Sequence, residues 1–183
     1  MIWFREMSRS TRAMRSRFSR RLPEAEHVGQ ISRMITIQYE PFDIGVLYRS
    51  LSNSCHSTGA VVSFVGRVRD FNESPEVTAL TLEHYPGMTE RALEEVVERA
   101  RQRWQINDAI VVHRIGYMTP GDDIVAVLVS TAHRHAAFEA CAFIMDFLKT
   151  SAPFWKKEHT TQGDYWVSER ESDLASLKRW EQQ

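Results

Sequence analysis

Two hydrophobic rhythms run along the chain, a period of two that marks strands and a period near 3.6 that marks helices. Met34–Tyr39 keeps the first, with Ile35, Ile37 and Tyr39 on one face. Asp43 stands where a helix cap belongs. Ile44, Leu47, Tyr48 and Leu51 follow on one stripe, which predicts a short helix through about Ser52. Gly59–Arg69 is apolar and β-branched and reads as a buried strand. Asn72–Pro75 reads as a turn. Val77–His84 alternates again, with Val77, Ala79, Thr81 and Glu83 opposite Thr78, Leu80, Leu82 and His84. Pro86-Gly87 interrupts the pattern. Thr89 is the expected cap of a helix to about Trp104, with Leu93, Val96, Val97 and Ala100 as its inner stripe.

The second half continues the alternation. Ala109–Tyr117 and Asp123–Thr131 read as two strands joined by a Thr-Pro-Gly-Asp turn. Arg134–Ser151 is the longest helix, with Phe138, Cys141, Ala142, Met145 and Leu148 expected inward. Pro153 ends it, because the residue before a proline avoids the helical region. Trp155–Thr160 and Tyr165–Glu169 form a hairpin around Gln162-Gly163-Asp164. Ser172–Gln183 is polar and reads as a loose helix. The sum is an α+β fold with a mixed, largely antiparallel sheet and about three helices. Neither a GxGxxG nor a P-loop spacing is present, so a nucleotide-binding doubly wound fold has no support.

Composition narrows this further. A chain of 183 residues suits one domain and buries a core without metal or disulfide staples. No apolar run approaches the roughly 20 residues of a membrane-spanning helix. Cys55 and Cys141 are far apart and form no CxxC pair, so a reducing, cytoplasmic setting is the expectation and both read as small buried hydrophobes. The net charge of −1 hides an asymmetry: Met1–Arg33 carries eight arginines against three glutamates, and the remainder 15 basic against 21 acidic residues. The mildly acidic body argues against nucleic-acid binding. Residues 1–33 read as a poorly ordered extension, either an organelle transit peptide or the product of a misassigned start with Met34 as the true first residue. Residues 34–173 then form the domain proper and residues 174–183 a polar tail.

No HExxH, GxSxG or paired cysteine–histidine cluster is present, which removes the familiar hydrolase and metalloenzyme classes. What remains is a set of cations at element ends. Arg67 and Arg69 close a strand, and their spacing of two puts both on one face. His133 and Arg134 open the long helix, where free amides and the macrodipole favour an anion. Lys149 lies in that helix's last turn. Lys156 and Glu158 share one face of the next strand, and Lys157 points the other way. Each alone also fits a solvated strand end, a helix cap or an exposed polar strand. By themselves they support only a soluble α+β domain that binds an anion.

Longer stretches say more. GAVVSFVGRVRDFN (Gly59–Asn72), LTLEHYPGMTERAL (Leu80–Leu93), VVHRIGYMTPGD (Val111–Asp122), STAHRHAAFEA (Ser130–Ala140), MDFLKTSAPFWKKE (Met145–Glu158) and WVSERESD (Trp166–Asp173) resemble, in order, the large subunit of molybdopterin synthase. LEHYPGM and LKTxAPFWKKE are the most specific, and Met1–Arg33 has no counterpart in the family pattern. The resemblance implies an α/β hammerhead-type fold with an added antiparallel part, assembled as a homodimer within a heterotetramer. The implied partner is a small ubiquitin-like sulfur-carrier subunit whose Gly-Gly tail bears a thiocarboxylate. The implied substrate is cyclic pyranopterin monophosphate, converted to molybdopterin in two sulfur transfers with no metal and no cofactor.

The resemblance also assigns residues. It places Arg67, Val68, Arg69, His133, Arg134, Lys149, Lys156, Lys157 and Glu158 at the substrate, with backbone amides near Val68 as added donors. Lys149 and Lys156 are the implied catalytic pair, Lys149 stabilising charge on the acyl-transfer intermediate or carrying a proton. Glu158 would orient Lys156 or move a proton, and Arg170 would reach a neighbouring subunit's pocket. The competing expectation is a non-catalytic adaptor that binds a ubiquitin-like tail.

Overall fold

Residues 35–52, 56–69, 77–167 and 178–180 are described by the computed structural model. The expectations for Met1–Arg33, Cys55, Asn72–Pro75 and Arg170 fall outside them.

Two four-stranded sheets divide the chain. The first has the order β1 (Ile35–Gln38), β4 (Ile106–Arg114), β6 (Asp123–Thr131), β2 (Ala60–Arg67). Only β1 and β4 run parallel; the other neighbours are antiparallel. Strict alternation sends the two faces of this sheet to different helices. Val111, Val127 and Val129 pack with α2 (Met88–Arg103) and α3 (Arg134–Ser151), while Ile110, Val112, Ala126 and Leu128 pack with Leu47 and Leu51 of α1 (Ile44–Ser52). Each fully buried aliphatic side chain there contributes about 1.5–3 kcal/mol. The second sheet is antiparallel throughout, in the order β5 (Gly116–Met118), β3 (Val77–His84), β7 (Phe154–Thr160), β8 (Gly163–Val167). The α+β reading and the largely antiparallel pairing therefore hold, and α3 and the β7–β8 hairpin lie where the pattern put them.

Several expectations are corrected. The Ala109–Tyr117 run is two strands in two sheets, because the chain turns at Ile115–Gly116. Gly116 has φ +81°, a region that side chains rarely adopt. The Gly59–Arg69 run is an edge strand, half-exposed along much of its length, with Phe64 open to solvent. Asp43 does cap α1, accepting from the Gly45 and Val46 amides at 2.7 and 3.1 Å. Thr89 does not cap α2. That position belongs to Gly87, whose N–H donates to Glu90 at 2.7 Å, while Thr89 is the fully buried second residue of the helix and its hydroxyl lies within donating distance of the carbonyls of Tyr85 and Pro153. Phe138 of α3 faces outward at 61% exposure; Ala137, Ala140, Cys141 and Ile144 face the core. Burial raises the Cys141 thiol to about 11, so it packs as a hydrophobe.

The polar tail also contributes to the core. Lys178–Trp180 is helical, and Trp180 is 2% exposed, edge-on to Trp104 and Phe143. Its indole N–H donates to Asp146 at 2.9 Å, and Arg179 reaches the same carboxylate at 2.8 Å. A lone tryptophan among polar residues carries no periodicity from which this docking can be read.

Candidate active site

The seam between the two sheets is where the charged residues converge. At the register Leu82↔Lys156 and Leu80↔Glu158, β3 and β7 turn these four side chains to the same side. A shift in pairing between Val77 and Ala79 breaks the simple alternation of β3, and Val77 joins Leu80 and Leu82 on the pocket wall. The opposite wall is the end of β2 and the residues after it, Arg67, Val68 and Arg69. The last turns of α3 close the top with Met145, Leu148 and Lys149. The pocket is open to solvent and has a volume of about 780 Å³.

Among the described residues four cations line this space, with one carboxylate among them. Lys156 Nζ lies 2.7 Å from Glu158 Oε1, and Glu158 is buried. A buried carboxylate costs several kcal/mol unless a cation and further hydrogen bonds compensate it, so the two side chains fix each other's position. Arg67 is tethered by Asp123, Nε to Oδ1 at 2.9 Å, and by the Gly121 carbonyl. Val68 does not offer its amide to a ligand: that N–H donates to the Asp122 carbonyl at 2.9 Å, and its side chain packs with Leu80, Leu82 and Met118. Of the backbone amides expected to donate near this residue, Val68's own is thus engaged within the fold, and Val68 lines the pocket. Lys157 is outside the pocket. It lies on the other face of β7, 3.4 Å from Asp164 and over the Trp166 ring, so the alternation argument for the strand holds and Lys157 does not line this pocket.

His133 and Arg134 are also elsewhere. They line a second, shallower cleft of about 540 Å³ with Gly59, Ala132, His135, Phe138 and Glu139. The 15 residues of helix between Arg134 and Lys149 hold these ends about 22 Å apart. Gly59 is required where β2 passes Ala132, since a Cβ there would meet the Ala132 carbonyl oxygen at 2.3 Å. Within one chain the nine candidate residues thus divide into Arg67, Val68, Arg69, Lys149, Lys156 and Glu158 in one pocket, His133 and Arg134 in another, and Lys157 in neither. The pocket also holds residues the sequence reading did not single out for it, His113 and Phe154 among them. Among the described residues no cluster of three or more His, Cys, Asp or Glu side chains is placed to hold a metal, and no helix is long and apolar enough to cross a membrane.

Fold and site together define an α+β protein whose cationic pocket, set at the seam of two sheets, suits a small anionic ligand. The chain belongs to the MoaE protein family, whose model matches residues 37–151. It is 55% identical to the molybdopterin synthase catalytic subunit of Pasteurella multocida (strain Pm70) over 146 residues, 80% of this chain and 97% of that relative. Identity to the catalytic subunit of Escherichia coli (strain K12) is also 55% over 146 residues, with the same shares covered. Among solved structures, the molybdopterin biosynthesis MoaE protein from Burkholderia ambifaria MC40-6 superposes with a TM-score of 0.71 at 47% identity, over 81% of this chain and 97% of that one.

Proposed function

We propose that the chain is the sulfur-transferring half of a molybdopterin synthase, acting with a small ubiquitin-like subunit on cyclic pyranopterin monophosphate in the cytoplasm. The observation that carries the reading is the pocket itself: Arg67, Arg69, Lys149 and Lys156 face one cavity in a body that is otherwise acidic. The substrate's cyclic phosphate and the donor's thiocarboxylate are both anions, and bringing them together requires such a concentration of cations.

The thiocarboxylate sulfur attacks a side-chain carbon of the pterin and displaces the cyclic-phosphate oxygen it carries, so that the phosphate ring opens to a monoester and a thioester joins donor tail and substrate. Water cleaves the acyl–sulfur bond, leaving sulfur on the pterin and a carboxylate on the tail. A second charged subunit delivers sulfur to the neighbouring carbon, whose oxygen leaves as water, and hydrolysis of that thioester again frees the tail as a carboxylate. Lys149 stabilises the oxyanion of the acyl intermediate. Lys156, positioned by Glu158, holds the anionic tail or substrate. The test is conversion of cyclic pyranopterin monophosphate by the full chain with a thiocarboxylated small subunit. Product from the wild type supports the reading. A stable complex with the small subunit but no product supports the adaptor instead.

The His133–Arg134 cleft has a place in this reading if the chain pairs with a copy of itself, as the resemblance implies. The cleft then completes the pocket of the second copy, with the helix N-terminus adding to its pull on the phosphate. Two variants inactive on their own, Lys149→Ala and His133→Ala, would complement when mixed. Random pairing leaves one intact site in half of the dimers, so roughly a quarter of wild-type turnover returns. Absence of any recovery would exclude a shared site.

A further inference from the structure

His113 ends β4 on the side of the sheet that faces α3, and its ring forms part of the pocket wall. It stacks on Phe154 at 4.1 Å between centroids, 22° from parallel, and is 5% exposed. Nδ1 lies 2.8 Å from the Arg114 carbonyl oxygen. A carbonyl only accepts, so Nδ1 carries the hydrogen and Nε2 the lone pair. Burial, opposed by that hydrogen bond and helped by nearby His84, holds the ring's pKa down to about 4, so it is neutral in ordinary buffers. No hydrogen bond from the described residues reaches Nε2. Among those residues the one fully buried side-chain nitrogen or oxygen left without a partner is His84 Nδ1, so Nε2 is not sealed in the core, and the ring that carries it borders the pocket.

We infer that His113 Nε2 is the pocket's acceptor for a neutral N–H or O–H group of the pterin. This deepens the sulfurtransferase reading and rests on it. The cations around the pocket only donate, and Glu158 is engaged with Lys156. They recognise phosphate and thiocarboxylate but say nothing about which way a flat heterocycle lies. A pterin edge carries ring N–H and amino donors, and a fixed, uncharged acceptor stacked on Phe154 selects one of them. So weak a base is poorly matched to removing protons near neutrality, which assigns His113 to substrate orientation.

Two substitutions separate this role from a structural one. His113→Asn keeps a donor near Nδ1 for the Arg114 carbonyl and removes the Nε2 acceptor. His113→Gln places an amide oxygen near Nε2. Turnover would be followed against cyclic pyranopterin monophosphate concentration, with the thiocarboxylated small subunit in excess, beside thermal unfolding and small-subunit affinity. The expected result is a KM raised about tenfold in His113→Asn, the scale of one lost neutral hydrogen bond, with most of it recovered in His113→Gln. Unfolding midpoints fall by similar amounts in the two, since each loses the ring stacked on Phe154, and small-subunit affinity stays near wild type in both. A wild-type KM in His113→Asn, or equal losses in the two variants, overturns the inference. Failure of the wild type to turn over in the same assay would instead overturn the proposed function.

Discussion

The two ends of α3 make opposite uses of the same helix. At its C-terminal end the exposed Lys149 lines an open pocket between two sheets, in company with three more cations and a buried carboxylate. At its N-terminal end His133 and Arg134 border a shallow cleft beside the exposed ring of Phe138. The macrodipole favours an anion at the second place and a cation at the first. Yet it is the C-terminal end that gathers charge for an anion, using side chains held by Glu158, Asp123 and the Gly121 carbonyl. A helix pole contributes about half an elementary charge, and the four cations outweigh it even after Asp123 and Glu158 each offset one of them. The location of the site is decided by which ends of strands and helices the topology brings together.

The largest effect that tests this contrast is Lys149→Ala. Removing the cation proposed to stabilise the acyl intermediate should cut turnover by about 10²–10³-fold, the scale of a lost oxyanion donor, with little change in unfolding midpoint. Near-normal turnover would shift the chemistry away from the C-terminal end of α3.

A second effect is confined to that end and concerns pH. His113 has an ordinary pKa of 6.5 and is held at about 4 in the fold. Its lowered value means the unfolded chain takes up the proton first as pH falls. The stability it contributes is whole above pH 6.5 and is lost as pH drops through 4, a total of about 3 kcal/mol. Denaturant unfolding of wild type and His113→Phe across pH 7 to 4 measures it. The variant should have the shallower fall, and parallel curves would mean that the ring titrates normally.

Charge reversal on β7 gives the third and smaller effect. Lys156→Glu should lower kcat/KM about tenfold more than Lys157→Glu, since Lys156 faces the pocket and Lys157 faces Asp164 and Trp166 on the far side. Equal losses would mean that the β7 faces are wrongly assigned.

Much of this was legible in the sequence wherever local periodicity decides the outcome. The bounds of α3, the β7–β8 hairpin and the opposed faces of Lys156 and Lys157 follow from spacing alone. The separation of Arg134 from Lys149 was legible too, because one continuous helix cannot bring its own ends together. The resemblance, which collects residues by motif without regard to chain copy, placed both in one pocket. What could not be read depends on partners distant in sequence. The exposure of β2 follows from its edge position, the inward turn of Trp180 from a gap beside Trp104 and Phe143, and the pocket role of His113 from its meeting with Phe154.

Phe138 supplies the smallest effect and probes the other end of α3. Helical spacing put it inward with Cys141 and Met145, but the stripe is rotated, and Ala137 takes the core position. A ring at 61% exposure adds little to the stability of one chain, so Phe138→Ser should change unfolding by no more than about 0.5 kcal/mol at concentrations where the protein is monomeric. If the cleft beside it completes a second copy's pocket, the same substitution should weaken self-association and reduce turnover most at low protein concentration, with raised concentration restoring it. Sedimentation and turnover, each measured across a dilution series, report on the two quantities separately. Turnover per chain that stays constant on dilution in both proteins would leave the N-terminal cleft outside the catalytic unit, and the C-terminal end of α3 would then have to recognise the phosphate with Arg67, Arg69 and its two lysines alone.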